Sequence, residues 1–580
     1  EYLLFYGQAI DSKYTAHNVY WLTYGQGPGK RMASRSGAPT TGTTPATRAE
    51  RFHLDENHIY APGLIGDEDL ERFGWGYVYP PSEPAWDHTF SLSDPATGSH
   101  TARLQLAMFG YRADPVKPDH HVRVFLNGTK VADRKWDGLA WDLVDVTFPQ
   151  SVLKNGSNTI SVQSVADTGA ASDLVYVDWF ALDLTTGFSA RNDSLAFDFD
   201  QAGTWKYQAP GFTTDKILAF DVTDPVAVVR ITGGGVTPSG PSYTLSFSDK
   251  VAGDTGYWLV SMPALRKPVS IAPDKASSLG STANGADYII VSHAAFGQSL
   301  APLKAYRASR LPGFGAPRVV QVDLQDVYDE LGYGTVGAAA IRDFLKYAYD
   351  RWQSPAPTYA LLVGDGHYDP KDYGGFGRVS YLPPYLAPVD PQLGETAADN
   401  RFVSFTSGDD LPEMIVARFA VNSAAEATVV VNKTLDYEDK VAGAWNSRLL
   451  FVADDKDQNG NYTKLSNDLI SCCLPAPYTE EKVYLGVTQA TPAAARAGII
   501  AGINAGHLIV NYFGDAGSSA WAEEGIFSLS DISSLTNASR LPVMLPMAPL
   551  DGYFIYPLPP SADAMAERIV RVQGKGAVAS

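Results

Sequence analysis

The chain reads as a multidomain protein: an N-terminal all-β sandwich or jelly roll, a small β-module, then two α/β subdomains with mainly parallel sheets. Three observations predict this order. Its 580 residues exceed what one core serves, at roughly 150 residues per domain. Up to about residue 283 the apolar runs are short, rich in β-branched and aromatic residues, and broken by turn signals. From residue 284 continuous apolar strands alternate with amphipathic helices. The expected boundaries are 1–190, 191–283, 284–444 and 445–580.

In the first region, "TARLQLAMFGY", "HHVRVFLNGTKVAD", "NTISVQSVAD" and "LVYVDWFALDL" alternate partially, with Asn127-Gly128 and Asn155-Gly156 as turns. Regular short strands at this spacing indicate a sandwich. "VFLNG" with "VDWFAL" also resembles jelly-roll modules appended to secreted enzymes, some of which bind carbohydrate. Residues 191–283 stay β-rich, with "KILAFDVTDP", "VAVVRITGGG", "SYTLSFSD" and "GYWLVSM". "ADYIIVSHAAF" then opens the α/β part. Ile341, Phe344, Leu345 and Ala348 follow at helical spacing, and "TYALLVGDG" gives a further buried strand. After residue 445 the alternation repeats: "SRLLFVADD", a helix, "EKVYLGV", and a helix with Thr491 as N-cap, Pro492 at its first position and Gly506 as its stop. "HLIVNYF", "LPVMLPMAP" and a last helix from near Ser561 complete the pattern.

Composition narrows the function classes. The formal net charge of −19 leaves no basic footprint for nucleic acid. It suits a secreted protein or one that binds calcium. No run of about 18 apolar residues marks a transmembrane helix. The opening "EYLLFYGQAI" lacks a basic leader, and "GKGAVAS" ends on a Gly turn entering a strand, so the chain reads as a segment of a longer one. Its only cysteines, Cys472 and Cys473, are adjacent and are expected to be unpaired, buried apolar filler, with a redox or metal role as the alternative. Asp455, Asp457, Asn459 and Gly460 carry the D-x-D-x-N-G spacing that begins an EF-hand-type loop, although Ser466 replaces the twelfth-position Glu and Asp468 lies two residues on. Two readings stand for this loop: a calcium site, or a plain acidic surface loop. A second acidic pair, Asp409 and Asp410, is expected to cap a turn.

Several blocks resemble the gingipain-type cysteine peptidases, a clan related in fold to caspases. These are "LLVGDGHYDP", "ETAADNRFVSFTSGDDLPEMIVARFAVNSAAEATVVVNKTLDYE", "LIVNYFGDAGSSAW" and "RLPVMLPMAPLDGYF", spread over residues 286–580. The opening "FYGQAIDSKYTAHNVYWLTYG" also resembles the N-terminal region of large secreted members. The resemblance implies a catalytic His in a Gly-His-Gly turn after one strand, and a Cys after the next. This chain has Gly514-Asp515-Ala516 at the first place and Pro549, before Leu550-Asp551-Gly552-Tyr553-Phe554, at the second. Proline supplies neither nucleophile nor N–H, and aspartate is no near-neutral imidazole. His293 and His367 belong to the other subdomain, His507 opens the strand at the end away from Asp515, and Ser518 and Ser519 have no base beside them.

The expectation is thus a catalytically inactive, extracellular or cell-surface scaffold that binds a protein partner or self-assembles. The alternatives are an active cysteine endopeptidase, and a carbohydrate- or partner-binding protein acting through the N-terminal sandwich.

Overall fold

The computed structural model describes residues 2–580 apart from 26, 28, 407–410, 441, 442 and 558–562. Asp409, Asp410 and Ser561 lie outside the described residues. The chain divides into two compact units: Glu1–Ala9 with Trp21–Asp274, and Ile10–Tyr20 with Lys275–Ser580.

The first unit is all-β. Strands Trp141–Pro149, Thr101–Gly110, Val175–Thr186 and Arg48–Asp55 form one antiparallel sheet in that order. Ala85–Leu92, Gly156–Ser164, His120–Leu126 and Thr129–Trp136 form a second. Alternate residues of both sheets, such as Leu104, Leu106, Val122, Val124, Ile160 and Phe180, are fully buried in one core. The Asn127-Gly128 hairpin turn has φ of +49° and +80°, the left-handed pair that matches strand twist.

The sandwich starts at Arg48, not at residue 1. The segment before it is rich in Gly, Pro and Thr and has no alternating apolar face, so it runs outside the core as an extended strap. Its one longer strand, Ala33–Ser36, pairs in parallel with Val229–Thr232 of the next module. That module is itself two sheets over an aromatic core of Phe197, Tyr207, Phe247 and Tyr257.

The second unit holds two parallel four-stranded sheets. The first comprises β1 (Tyr288–Ser292), β2 (Val319–Asp323), β3 (Tyr359–Val363) and β4 (Ile415–Phe419), ordered β2-β1-β3-β4. The second comprises β5 (Arg448–Ala453), β6 (Thr479–Tyr484), β7 (Ile509–Phe513) and β8 (Val543–Met547), ordered β6-β5-β7-β8. Helices α1 (Ala301–Ser309), α2 (Leu324–Leu331), α3 (Ala338–Arg351) and α4 (Ala424–Lys440) accompany the first sheet, and α5 (Tyr462–Cys473), α6 (Pro492–Ala505) and α7 (Met565–Arg571) the second. On α3, Ile341, Phe344, Leu345 and Ala348 are fully buried, as their spacing requires. Thr491 caps α6 by accepting from the Ala494 N–H, Pro492 takes its first position, and Gly506 ends it at φ +90°. Both sheets reverse strand order beside their first strand. That reversal opens a crevice at the carboxyl ends, between β1 and β3 and between β5 and β7.

Candidate functional site

Asp515 follows β7, at the edge of the β5–β7 crevice, and Pro549 follows the neighbouring β8. Phe513 stands opposite Met547 in the parallel β7–β8 pair. Asp515 and Pro549 each lie two residues beyond that paired position, on strands spaced about 4.8 Å apart. Gly514 makes the exit from β7 possible, since a Cβ there would sit 2.2 Å from Tyr512 Oη and 2.6 Å from Asp454 Cβ. After β8 the chain passes exposed Pro549 into Leu550, whose φ is +63°. A branched residue in the left-handed region is strained and marks a sharply fixed turn.

Asp515 is half-buried and fully engaged. Tyr462 Oη, at the start of α5, donates to Oδ1 at 3.0 Å, and Asn459 Nδ2 donates to Oδ2 at 3.0 Å. Its backbone carbonyl accepts from Tyr512 Oη at 2.7 Å and from the Ala522 N–H at 2.8 Å. Burial, reinforced by the Asp515 carboxylate, drives the Tyr462 phenol far above its usual range. Behind it sits Asp454, buried, its Oδ2 3.4 Å from Tyr512 Oη. Burial, with the charges of Glu524 and Asp455 adding to it, pushes this carboxyl up to about 6. Beside Pro549, Asp551 is 1% exposed and accepts from Trp521 Nε1 at 2.6 Å. Burial pushes it, too, up to about 6. Trp521 stacks on Tyr512 with ring centres 4.4 Å apart, closing the floor of the crevice.

The histidines sit elsewhere. His507 is buried below β7, bonded to Gly502 O and Glu481 Oε2, and burial holds its imidazole below the usual value. His293 accepts from the Ala295 N–H and caps a helical turn after β1. His367 is buried in the loop after β3, with Nε2 against Arg378 O at 3.1 Å. Ser518 and Ser519 lend backbone carbonyls to Met565 and Leu529.

The cysteines correct the sequence expectation. Cys472 and Cys473 are exposed, not buried, and a disulfide joins them to each other. They occupy the last turn of α5, where neither sulfur enters the apolar cluster that takes Tyr462, Leu469 and Ile470. No free thiol remains, since these are the only two cysteines in the chain.

At the candidate calcium loop, Asp457 Oδ1 accepts from the N–H groups of Asn459 and Gly460 at 2.7 and 2.9 Å, while Asp455 is exposed. Ser466 is buried in α5 against Tyr484 Oη, and Asp468 pairs with Lys464. Among the described residues no group of three His, Cys, Asp or Glu side chains converges as a metal site. The D-x-D-x-N-G segment carries the chain from β5 into α5. Its Asn459 amide nitrogen points to Asp515. Sequence reasoning missed Asp454, Tyr462, Tyr512 and Trp521 as neighbours of the site. Asp454 and Trp521 were visible inside the quoted blocks, but nothing local signals that Tyr462 reaches a residue 53 positions later.

Comparison with known proteins bears on the family and the fold. Gingipain R2 of Porphyromonas gingivalis is 25% identical over 247 residues, covering 42% of this chain and 30% of its own length. Lys-gingipain HG66 of the same species is 25% identical over 302 residues, covering 50% of this chain and 15% of its own length. The chain thus spans less than a third of these curated relatives. The crystal structure of dimeric latent PorU from Porphyromonas gingivalis matches with a TM-score of 0.51 at 18% identity, over 72% of this chain and 40% of that one, which shows a shared fold. The sequence profile of Peptidase family C25 matches residues 281–580, just over half of the chain. The chain belongs to peptidase family C25.

Proposed function

We propose that this chain is a non-cleaving member of its family, an extracellular or cell-surface protein that keeps the peptidase fold as a binding or assembly scaffold. The observation that carries this reading is the state of the site's chemistry. Both sulfurs of the chain are bonded to each other at the far end of α5, while Pro549 and Asp515 stand where the family resemblance implies the nucleophile and the imidazole. Peptide hydrolysis by this route needs a thiolate and a base within hydrogen-bond reach. Asp515, tied to Tyr462 and Asn459, is a structural acceptor instead. The test is the intact chain with fluorogenic peptides of varied sequence under reducing conditions. Turnover should match a no-enzyme blank. Cleavage that a peptidyl electrophile abolishes would overturn the reading in favour of an active endopeptidase.

Calcium at Asp455, Asp457 and Asn459 belongs to the same proposal. Saturating calcium at a hundred times its Kd should raise stability by about 2.7 kcal/mol over a chelated sample. An unchanged melting temperature would remove calcium from it. Carbohydrate binding by the sandwich is the second reading, favoured by the half-exposed Tyr77, Tyr79 and Trp141 on that domain. Aromatic faces of this kind suit sugar stacking. Retention on insoluble polysaccharide, lost in Trp141→Ala, is the expected sign, and no retention would discard it.

A further inference from the structure

The Cys472–Cys473 bond does not behave like a structural cross-link. It joins chain neighbours, so it encloses no loop and removes almost no entropy from the unfolded chain. It connects no two elements, because both residues belong to the last turn of α5. The helix is fastened without it: Tyr462, Leu469, Ile470 and Leu474 pack beside Leu449, Phe451 and Tyr484. Both sulfurs are exposed. An exposed disulfide that stabilises nothing is the kind that exchanges with thiols in solution.

We propose that Cys472–Cys473 is a thiol-exchange site for small thiols of the cysteine or glutathione class. An external thiolate attacks one exposed sulfur. A new S–S bond forms to it, the Cys472–Cys473 bond breaks, and the electron pair leaves on the second cysteine, which takes a proton from water. A second external thiolate then attacks the outer sulfur of the mixed disulfide. That step releases the oxidised external disulfide and the other cysteine as a thiol. Two external thiols are oxidised while the protein gains two electrons and two protons. Because the released thiolate remains one residue from the mixed disulfide, the reverse attack is intramolecular and fast. The populated states are therefore the disulfide and the dithiol, with little adduct. The dithiol places two sulfurs side by side for a trivalent arsenical. Phenylarsine oxide would form two S–As bonds and lose its oxygen as water. Tyr462 and Cys473 lie at opposite ends of α5, roughly 17 Å apart at 1.5 Å per residue, so this chemistry is separate from the crevice.

The test uses the intact chain in native buffer with intact-mass readout. Untreated protein should take up no iodoacetamide. After incubation with millimolar glutathione it should take up two carbamidomethyl groups, or one phenylarsine bridge. Cys473→Ser treated with oxidised glutathione should instead hold a stable glutathione adduct, having no neighbour to expel it. Replacing both cysteines by serine should leave the melting temperature unchanged. Three results would each overturn the proposal: two alkylated cysteines before any thiol is added, a bond that yields only after unfolding, or a large loss of stability in the double variant.

Discussion

At Asp551 a single carboxyl sets a pH dependence that the surrounding residues make readable. It is buried beside the strained turn at Leu550, its named partner is the Trp521 indole, and burial raises it to about 6. A group raised above its unfolded value of about 4 binds more protons in the folded state. Its contribution to stability is present in full below pH 4 and is lost as pH rises through 6. Asp551→Asn removes the charge and keeps an oxygen to accept from Trp521. It should stabilise the chain by roughly 1–2 kcal/mol at pH 7.5 and by almost nothing at pH 4, as measured by denaturant unfolding at the two values. Equal effects at both would show that the carboxyl is solvated. Asp454, raised for the same first cause, adds a loss of the same sign over the same window.

Helix α7 shows how an element can be fastened by charge. Arg571 is buried and reaches Glu567 at 2.9 Å, Asp563 at 3.2 Å and Glu426 of α4 at 3.6 Å. Lys433 of α4 donates to the carbonyls of Ile569, Val570 and Val572, satisfying the end of α7. Burial, with Asp365 adding to it, holds Glu567 well above the ordinary carboxylate range. Arg571→Met fills the same space and removes the cation from among buried carboxylates. It should cost about 3 kcal/mol at pH 7.5. Part of that loss should return on acidification, because Glu567 then protonates and no longer needs a partner. Denaturant midpoints at pH 7.5 and pH 5 test this, and a pH-independent loss would mean that the helix is held by packing alone.

On the scale of the whole chain, a short N-terminal segment belongs to the C-terminal unit. Tyr14 Oη donates to Pro384 O at 3.0 Å and accepts from the Leu386 N–H at 3.1 Å, and Lys13 pairs with buried Glu395. Burial drives the Tyr14 phenol far above its usual range, so it stays neutral at any working pH. Tyr14→Ala deletes a half-buried ring and leaves two backbone groups without their partner. The cost should be about 3–4 kcal/mol, felt in one unit only. Calorimetry should show the transition of the α/β unit lowered and that of the β unit unmoved. Equal displacement of both would show that the two unfold as one.

Sequence alone determined the β-to-α/β switch near residue 284, the buried stripe of α3 and the caps of α6, because these follow from periodicity and local backbone chemistry. It determined that residues 286–580 resemble the gingipain-type peptidases. Only the tertiary structure decided where the sandwich begins, since a strap without an apolar face joins whichever edge or groove is open to it. It alone placed Tyr462 and Asn459 on Asp515, and Trp521 on Asp551, because contacts across tens of residues leave no local period to read. The cysteines turned on the same distinction: their adjacency was legible, but exposure depends on where α5 runs out of apolar neighbours, and that is fixed by packing.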